Sequence, residues 1–465
     1  MGGGVPSSPR GPRFRLIFNS LVFAAFFAVV YPVWRVTSGV LRRRWLLGAS
    51  LFFYGWWDWR FLGLLLGTSL LDWYCARRIE EGTQRRGWVT LSVVSNLCSL
   101  GLFKYLGFFS RELGAGLAAL GVDVPIPALD IVLPVGLSFY TFQAMSYTID
   151  VYRRQIPAVR NPLDFLLFIS FFPQLVAGPI ERSGALYPQL MAGRNPTPEQ
   201  LREGAWLILL GFVKKVLIAD NLAWLVARGL DAPGATAGAI LLAGYAFTWQ
   251  IYCDFSGYSD IARGLARWMG IELRVNFDLP FFAASPREIW RRWHISLSEW
   301  LRDYLYIPLG GNKAGRNLLI TMVLGGLWHG ANWTFLVWGA WHGVALMVQR
   351  RFPIRLPRAL AIVATFHLLA IGFVIFRVSA LARIPELVET LLTLRWRRED
   401  LVWARYALLL CSPLFLLELA MYRTRDPMVF LRLPRPVQAV GVVVSVAALL
   451  VLGSSHGAPF IYFQF

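Results

Sequence analysis

The sequence predicts an all-α polytopic membrane protein, a transmembrane helical bundle of about eleven membrane-embedded helices with interfacial and re-entrant pieces. Three observations predict it. Composition comes first: 56% of the chain is apolar and 16% charged, against about 45–50% and about 25% in soluble domains, and mean hydropathy is +0.51. Second, the apolar residues lie in runs such as 16–34, 201–226, 236–253 and 438–453. A helix needs about 20 such residues to cross roughly 30 Å of hydrocarbon. Third, arginines cluster between the runs, at Arg42–Arg43–Arg44, Arg77–Arg78, Arg85–Arg86, Arg153–Arg154 and Arg350–Arg351, as the positive-inside bias of short cytoplasmic loops requires.

In chain order, the pattern places helices at 14–34, 45–58, 61–76, 88–109, 130–150, 163–180, 201–226, 236–266, 316–340 and 359–377, with two more beyond 400. The run at 16–34 exceeds a signal-peptide core and lacks a small-residue cleavage site, so it is the expected first span. Residues 1–13, rich in Gly, Pro and Ser, are an expected disordered tail; Pro6 stands where a myristoylation signal needs Ser or Thr. Trp57-Asp58-Trp59-Arg60 reads as a tight interfacial turn with aromatic anchors. The basic loops 35–44 and 77–87 bracket a hairpin and share the cytoplasmic side, which puts the N-terminus outside, against the hint of Arg10, Arg13 and Arg15. No linker or repeat divides 14–465, which reads as one membrane domain with core motifs in 130–350 and additional helices in 351–465. The polar stretches 181–200 and 267–315 are too long for turns. At membrane depth such backbone must be enclosed by protein or line a cavity.

Stretch 285–305 (SPREIWRRWHISLSEWLRDYL) predicts one amphipathic helix. Ser285 is the expected N-cap, Pro286 suits the first helical position, and Glu288 completes a capping box. Ile289, Trp293, Leu297, Trp300 and Tyr304 share one face, and Arg287, Arg291, His294, Ser298 and Arg302 another. Its charges forbid a span, so it lies at the interface or plugs the protein interior.

The net charge of +19 is accounted for by these loops and their attraction to anionic lipid headgroups, so no nucleic-acid partner is expected. Cys75, Cys98, Cys253 and Cys411 form neither a disulfide framework nor a zinc pattern. No metal is expected, because no HExxH or other helical ligand spacing occurs; Walker, GxGxxG and GxSxG motifs are absent too. Asp72, Lys104, Asp150, Lys214, Lys215 and Asp220, in or beside apolar runs, keep a transporter or channel open as a reading. The paired broken segments of transporters are not seen.

Of five histidines, His329 stands out, because an ionisable side chain inside an apolar segment is a functional candidate by default. Gly325, Gly326 and Gly330 leave room around it, and Trp328 and Trp333 can wall a pocket. A neutral imidazole there is either a general base or a structural residue bound to a carbonyl; both readings stand. His294, on the arginine face, is a second catalytic or donor-contacting residue or a solvated one. His342, near Arg350 and Arg351, reads as interfacial, and His367 and His456 as structural. Arg287, Arg291, Arg292 and Arg302 could hold a phosphate-bearing acyl donor or lipid headgroups. Asp254 and Asp260 lie near opposite faces of a helix; one could pair with an arginine of 285–302 or orient a histidine.

The blocks YCDFSGYSDIARGLARWMGIELRVNF (252–277), REIWRRWHISLSEWLRDYLYIPLGGN (287–312) and LGGLWHGANWTFLVWGAWHG (324–343) resemble the bacterial branch of the membrane-bound O-acyltransferases. LPVGLSFYTFQAMSYTIDVYR (133–153), FPQLVAGPIER (172–182) and the closing PFIYFQF (459–465) resemble the same proteins. The resemblance implies a ring of helices around a central tunnel, with the family's invariant histidine at His329 and its second motif position at His294. Trp328, Asn332, Arg291, Arg292 and Asp254 are the accompanying candidates for substrate or donor contact. It also implies transfer of an acyl group, acetyl by expectation, from a cytoplasmic donor (acetyl-CoA or an acyl carrier) to a hydroxyl of an extracellular polysaccharide, alginate or another exopolysaccharide. A separate periplasmic acetyltransferase would finish the transfer, the bacterial inner membrane is the expected location, and no bound cofactor is expected. The sister activity, D-alanyl transfer to teichoic acid, is the nearest alternative.

Overall fold

The computed structural model describes residues 16–122, 124, 131–176, 178–353, 356–454 and 460–461. The tail 1–13, His456 and most of the closing motif lie outside the described residues. Among the described residues, every regular element is helical and no strand occurs. The chain divides into two compact units, Met1–Leu201 with Leu265–Arg274 and Arg202–Gly264 with Val275–Phe465.

Among the described residues, four helices are both long and apolar enough to cross a membrane: Arg85–Ala119, Arg358–Arg377, Arg398–Thr424 and Arg435–Leu452. Arg435–Leu452 buries none of its residues, leaving Val443, Val444, Leu450 and Val451 between 61% and 81% exposed. Water does not tolerate so continuous an apolar surface, whereas lipid chains do. The protein is a multi-pass helical membrane protein.

In the first unit the short segments expected at 45–58 and 61–76 are longer helices, Gly39–Gly55 and Trp59–Glu80. Arg42, Arg44 and Asp72 on them find partners inside the protein, so the helices need not stop at these residues. Arg42 lies over the Trp34 ring at 4.8 Å and donates to Asn195 at 3.0 Å, Arg44 pairs with Asp164 at 2.9 Å, and Asp72 accepts from Ser92 and Asn96. The expected turn is present, with Asp58 capping the second helix. The span expected at 163–180 is absent: Pro162–Ser170 stops and only Phe172–Leu175 follows. Pro173 has no N–H for the Ile169 carbonyl and its ring would clash with it.

The helices from Pro198 to Asp231, in the second unit from Arg202 on, run on through two π-helical segments, Val213–Ala219 and Ala227–Asp231, and the 32-residue helix Ala237–Trp268, in that unit up to Gly264, follows them. A Cβ on Gly211 would come within 2.5 Å of the Gly257 carbonyl oxygen, so these backbones touch where only glycine fits. The helix expected at 316–340 is instead an antiparallel hairpin, Arg316–His329 and Trp333–Arg351. Added Cβ atoms on Gly326 and Gly339 would collide with the carbonyls of Phe335 and Met322. The later helices fall as expected, with one further short helix, Arg383–Leu392, that the hydropathy pattern did not mark.

Gly339→Val should therefore lower stability by about 1–3 kcal/mol, read as a fall in thermal midpoint in detergent. Gly63→Ala, with nothing within 4 Å of its Cβ, should not. Equal losses in both would show that the hairpin's closeness is not the cause.

Candidate active site

The amphipathic stretch starts as expected. Ser285 Oγ accepts the Glu288 N–H at 3.2 Å, and Glu288 Oε2 accepts the N–H of Ala284 at 2.9 Å, one residue earlier than a capping box would place it. It does not continue as one helix. Pro286–Arg292 ends at an extended Trp293, His294 takes left-handed backbone angles (φ 43°, ψ 54°), and a second helix runs Ile295–Leu301. A non-glycine residue there carries about 1–3 kcal/mol of strain. The neighbourhood holds it: Asp278 N–H donates to the Arg292 carbonyl and Ile295 N–H to that of Asn276, both at 2.9 Å, while Trp293 packs on Phe373 and Phe277 at 4.9 and 5.0 Å. The kink turns His294 off the arginine face into the interior, where it is 1% exposed, while Arg287 and Arg291 stay exposed.

Asn276 sets the state of that ring. Its Oδ1 takes the backbone N–H of Ser296 at 3.2 Å and the Ser296 hydroxyl at 2.9 Å. A backbone N–H can only donate, so this atom is the amide oxygen and not the nitrogen. His294 Nδ1, 3.2 Å from the same oxygen, must therefore be the protonated nitrogen. The lone pair of the neutral ring is then on Nε2, the arrangement a general base requires.

His329 ends the first arm of the hairpin. Gly330 follows, its hydrogen filling a spot where a Cβ would strike the Phe335 ring. Asn332 then caps the second arm, accepting from Thr334 N–H at 3.1 Å and donating to the Ser379 carbonyl at 3.0 Å. The His329 ring is 5% exposed and stands edge-on to Trp328, Trp338 and Phe376 at 5.0, 5.0 and 5.4 Å. The His294 ring is 6.3 Å away, with Trp328 touching both. Two imidazoles 35 positions apart in sequence thus share one aromatic enclosure.

Other candidates have different duties. Arg292 is occupied by Glu288 at 3.0 Å and Asp278 at 3.2 Å. Trp333 is 50% exposed, and Trp338, five residues on, stands against the His329 ring. His342 is fully buried, against Trp338 at 5.0 Å and Trp290 at 5.1 Å. It is not interfacial, because the helix runs two further turns before Arg350. His367 is bonded to Tyr245 and to the Val363 carbonyl. Asp254 pairs with Lys215 at 2.6 Å rather than with an arginine of the 285–302 stretch, and Lys215 also reaches Asp220 at 2.7 Å, all three buried. Removing one partner from such a group costs about 3–5 kcal/mol. Sequence reasoning missed Asn276, Trp338 and Phe376; the one available signal was a lone asparagine between apolar residues in RVNF.

Apolar helices that face lipid and a buried pair of imidazoles, one with a defined acceptor nitrogen, have the chemistry to move a proton on and off a hydroxyl. Residues 52–388 match the membrane-bound O-acyltransferase family, and the chain belongs to that family; it is an O-acyltransferase. Among its relatives, a probable alginate O-acetylase AlgI of Pseudomonas aeruginosa is 43% identical over 401 residues, covering 83% of this chain and 77% of that protein. A peptidoglycan O-acetyltransferase of Helicobacter pylori is 34% identical, covering 79% and 78%. A teichoic acid D-alanyltransferase of Streptococcus thermophilus is 31% identical and covers 46% of this chain and 56% of that protein.

Asn276→Ala should leave the protein folded but lower turnover on the order of tenfold to hundredfold, as a misplaced catalytic group does. Single-turnover transfer in vesicles measures it, and parental rates would mean that His294 needs no orienting partner.

Proposed function

We propose that this protein is the membrane component of a polysaccharide O-acetylation system in a bacterial inner membrane. It takes acetyl from a cytoplasmic thioester, acetyl-CoA or an acyl carrier, and passes it towards an extracellular or periplasmic glycan, with a periplasmic acetyltransferase completing the delivery. The observation that carries the reading is the pairing of His329 and His294 at 6.3 Å in an aromatic enclosure. The names of the two relatives that match over most of this chain support an acetyl group and a glycan acceptor; the shorter, weaker match to the D-alanyltransferase supports that sister activity less.

In this reading about eleven helices form a ring around a tunnel that reaches the histidines. His329 accepts the proton of the attacking hydroxyl as oxygen attacks the thioester carbonyl, the C–O bond forms, the C–S bond breaks, and the proton passes to the departing thiolate. His294, with Nε2 as acceptor, shares the proton transfer or contacts the donor. Trp328, Trp338 and Phe376 keep water from hydrolysing the thioester. The exposed Arg287 and Arg291 meet donor phosphates or lipid headgroups.

Purified protein in vesicles, given radiolabelled acetyl-CoA and the acceptor side of the system, should move label to an acceptor. His329→Ala should cut transfer by about 10²–10⁴-fold with insertion and thermal midpoint kept, and His294→Ala should lower it less. His367→Ala should leave turnover unchanged, because its bonds, to Tyr245 and the Val363 carbonyl, lie outside the enclosure. Near-normal transfer by His329→Ala would remove the mechanism.

A further inference from the structure

Asp254 holds more than its lysine. While Oδ1 pairs with Lys215, Oδ2 accepts the backbone N–H of Ile461 at 2.8 Å, 207 residues along the chain. Phe460 and Ile461 are each 3% exposed. The Phe460 ring lies 4.8 Å from Tyr258 and 5.8 Å from Phe255, and Phe255 stands edge-on to His294 at 4.7 Å and 88°. Nearby, the Leu452 carbonyl accepts from Asn221 at 2.8 Å, next to Asp220, the second carboxylate on Lys215. Phe460 and Ile461 thus back the wall on which one of the two histidines rests.

We infer that Asp254 is a positioning residue that pins Phe460 and Ile461 behind His294, so that the histidine pair is assembled only when these two residues are docked. The inference rests on the acyl-transfer reading above. Its chemistry is specific to a carboxylate: Lys215 and the Ile461 N–H sit on different oxygens, whereas an amide whose oxygen stays with the charged lysine turns its NH2 group towards the Ile461 N–H, two donors that cannot bond. The ion group therefore couples the helix Ala237–Trp268 to a segment remote in sequence, through a single backbone bond.

Asp254→Asn and Ile461→Pro break that bond from its two ends, and Ile461→Val keeps it. Acetyl transfer in vesicles should show kcat lowered about tenfold in both breaking variants, KM for acetyl-CoA unchanged, and no further loss in the double variant. In detergent, carboxypeptidase digestion read by intact mass should stop at Ile461 in the parent and in Ile461→Val, and pass it in the two variants. Should Asp254→Asn fail to fold, Ile461→Pro, which leaves the ion group intact, decides alone. Parental kcat in Ile461→Pro, parental digestion, or losses that multiply in the double variant would each overturn the inference. If the parent itself transfers no acetyl, the acyl-transfer reading fails, and digestion alone judges the docking.

Discussion

The site depends on how closely the backbones of Arg316–His329 and Trp333–Arg351 approach. Glycine at 326 and 339 puts each arm against the carbonyls of the other, so van der Waals contact between backbones, rather than interleaved side chains, sets their spacing. In a bilayer this matters more than in water, because lipid chains compete with apolar side chains on equal terms and offer no hydrophobic drive for helix association. Tight spacing also permits the three-residue turn 330–332, which leaves His329 at a helix end and lets Trp338 and Phe376 close on its ring.

The second constraint is that polar groups in a water-poor interior must be satisfied by protein. It turns charged residues into geometry. Asp72 takes Ser92 and Asn96; Lys215 sits between two carboxylates; Asn276 Oδ1 gathers three donors and thereby fixes which nitrogen of His294 keeps its proton. These groups contribute little net stability over well-packed apolar ones. Their contribution is to specify one arrangement.

The placement of His294 is stored as backbone strain, its left-handed conformation held by hydrogen bonds on both sides of the kink. Strain of this kind persists only where the surroundings over-determine it. Here the surroundings include Trp293, packed into the core by the same kink that turns the histidine inward.

Composition and hydropathy runs determined the membrane class, the all-α architecture and the later helices, because twenty apolar residues in a row have one low-energy solution in a bilayer. The motif blocks at 252–343 carried His329 and His294. Local pattern also predicted the Ser285 cap and the Asp58 turn, since caps and turns are satisfied within four residues. What it could not decide was anything set by distant partners. Helical periodicity put His294 among arginines, and hydrogen bonds from 276–278 reversed it. A continuous apolar stretch hid the hairpin turn at Gly330, because that turn is stabilised by contacts between the arms. Asp254 sought a partner among nearby arginines and found Lys215 and a backbone N–H at residue 461. Sequence spacing records which residues share a helix face; only the packed chain records which side chains and backbone groups complete one another across it.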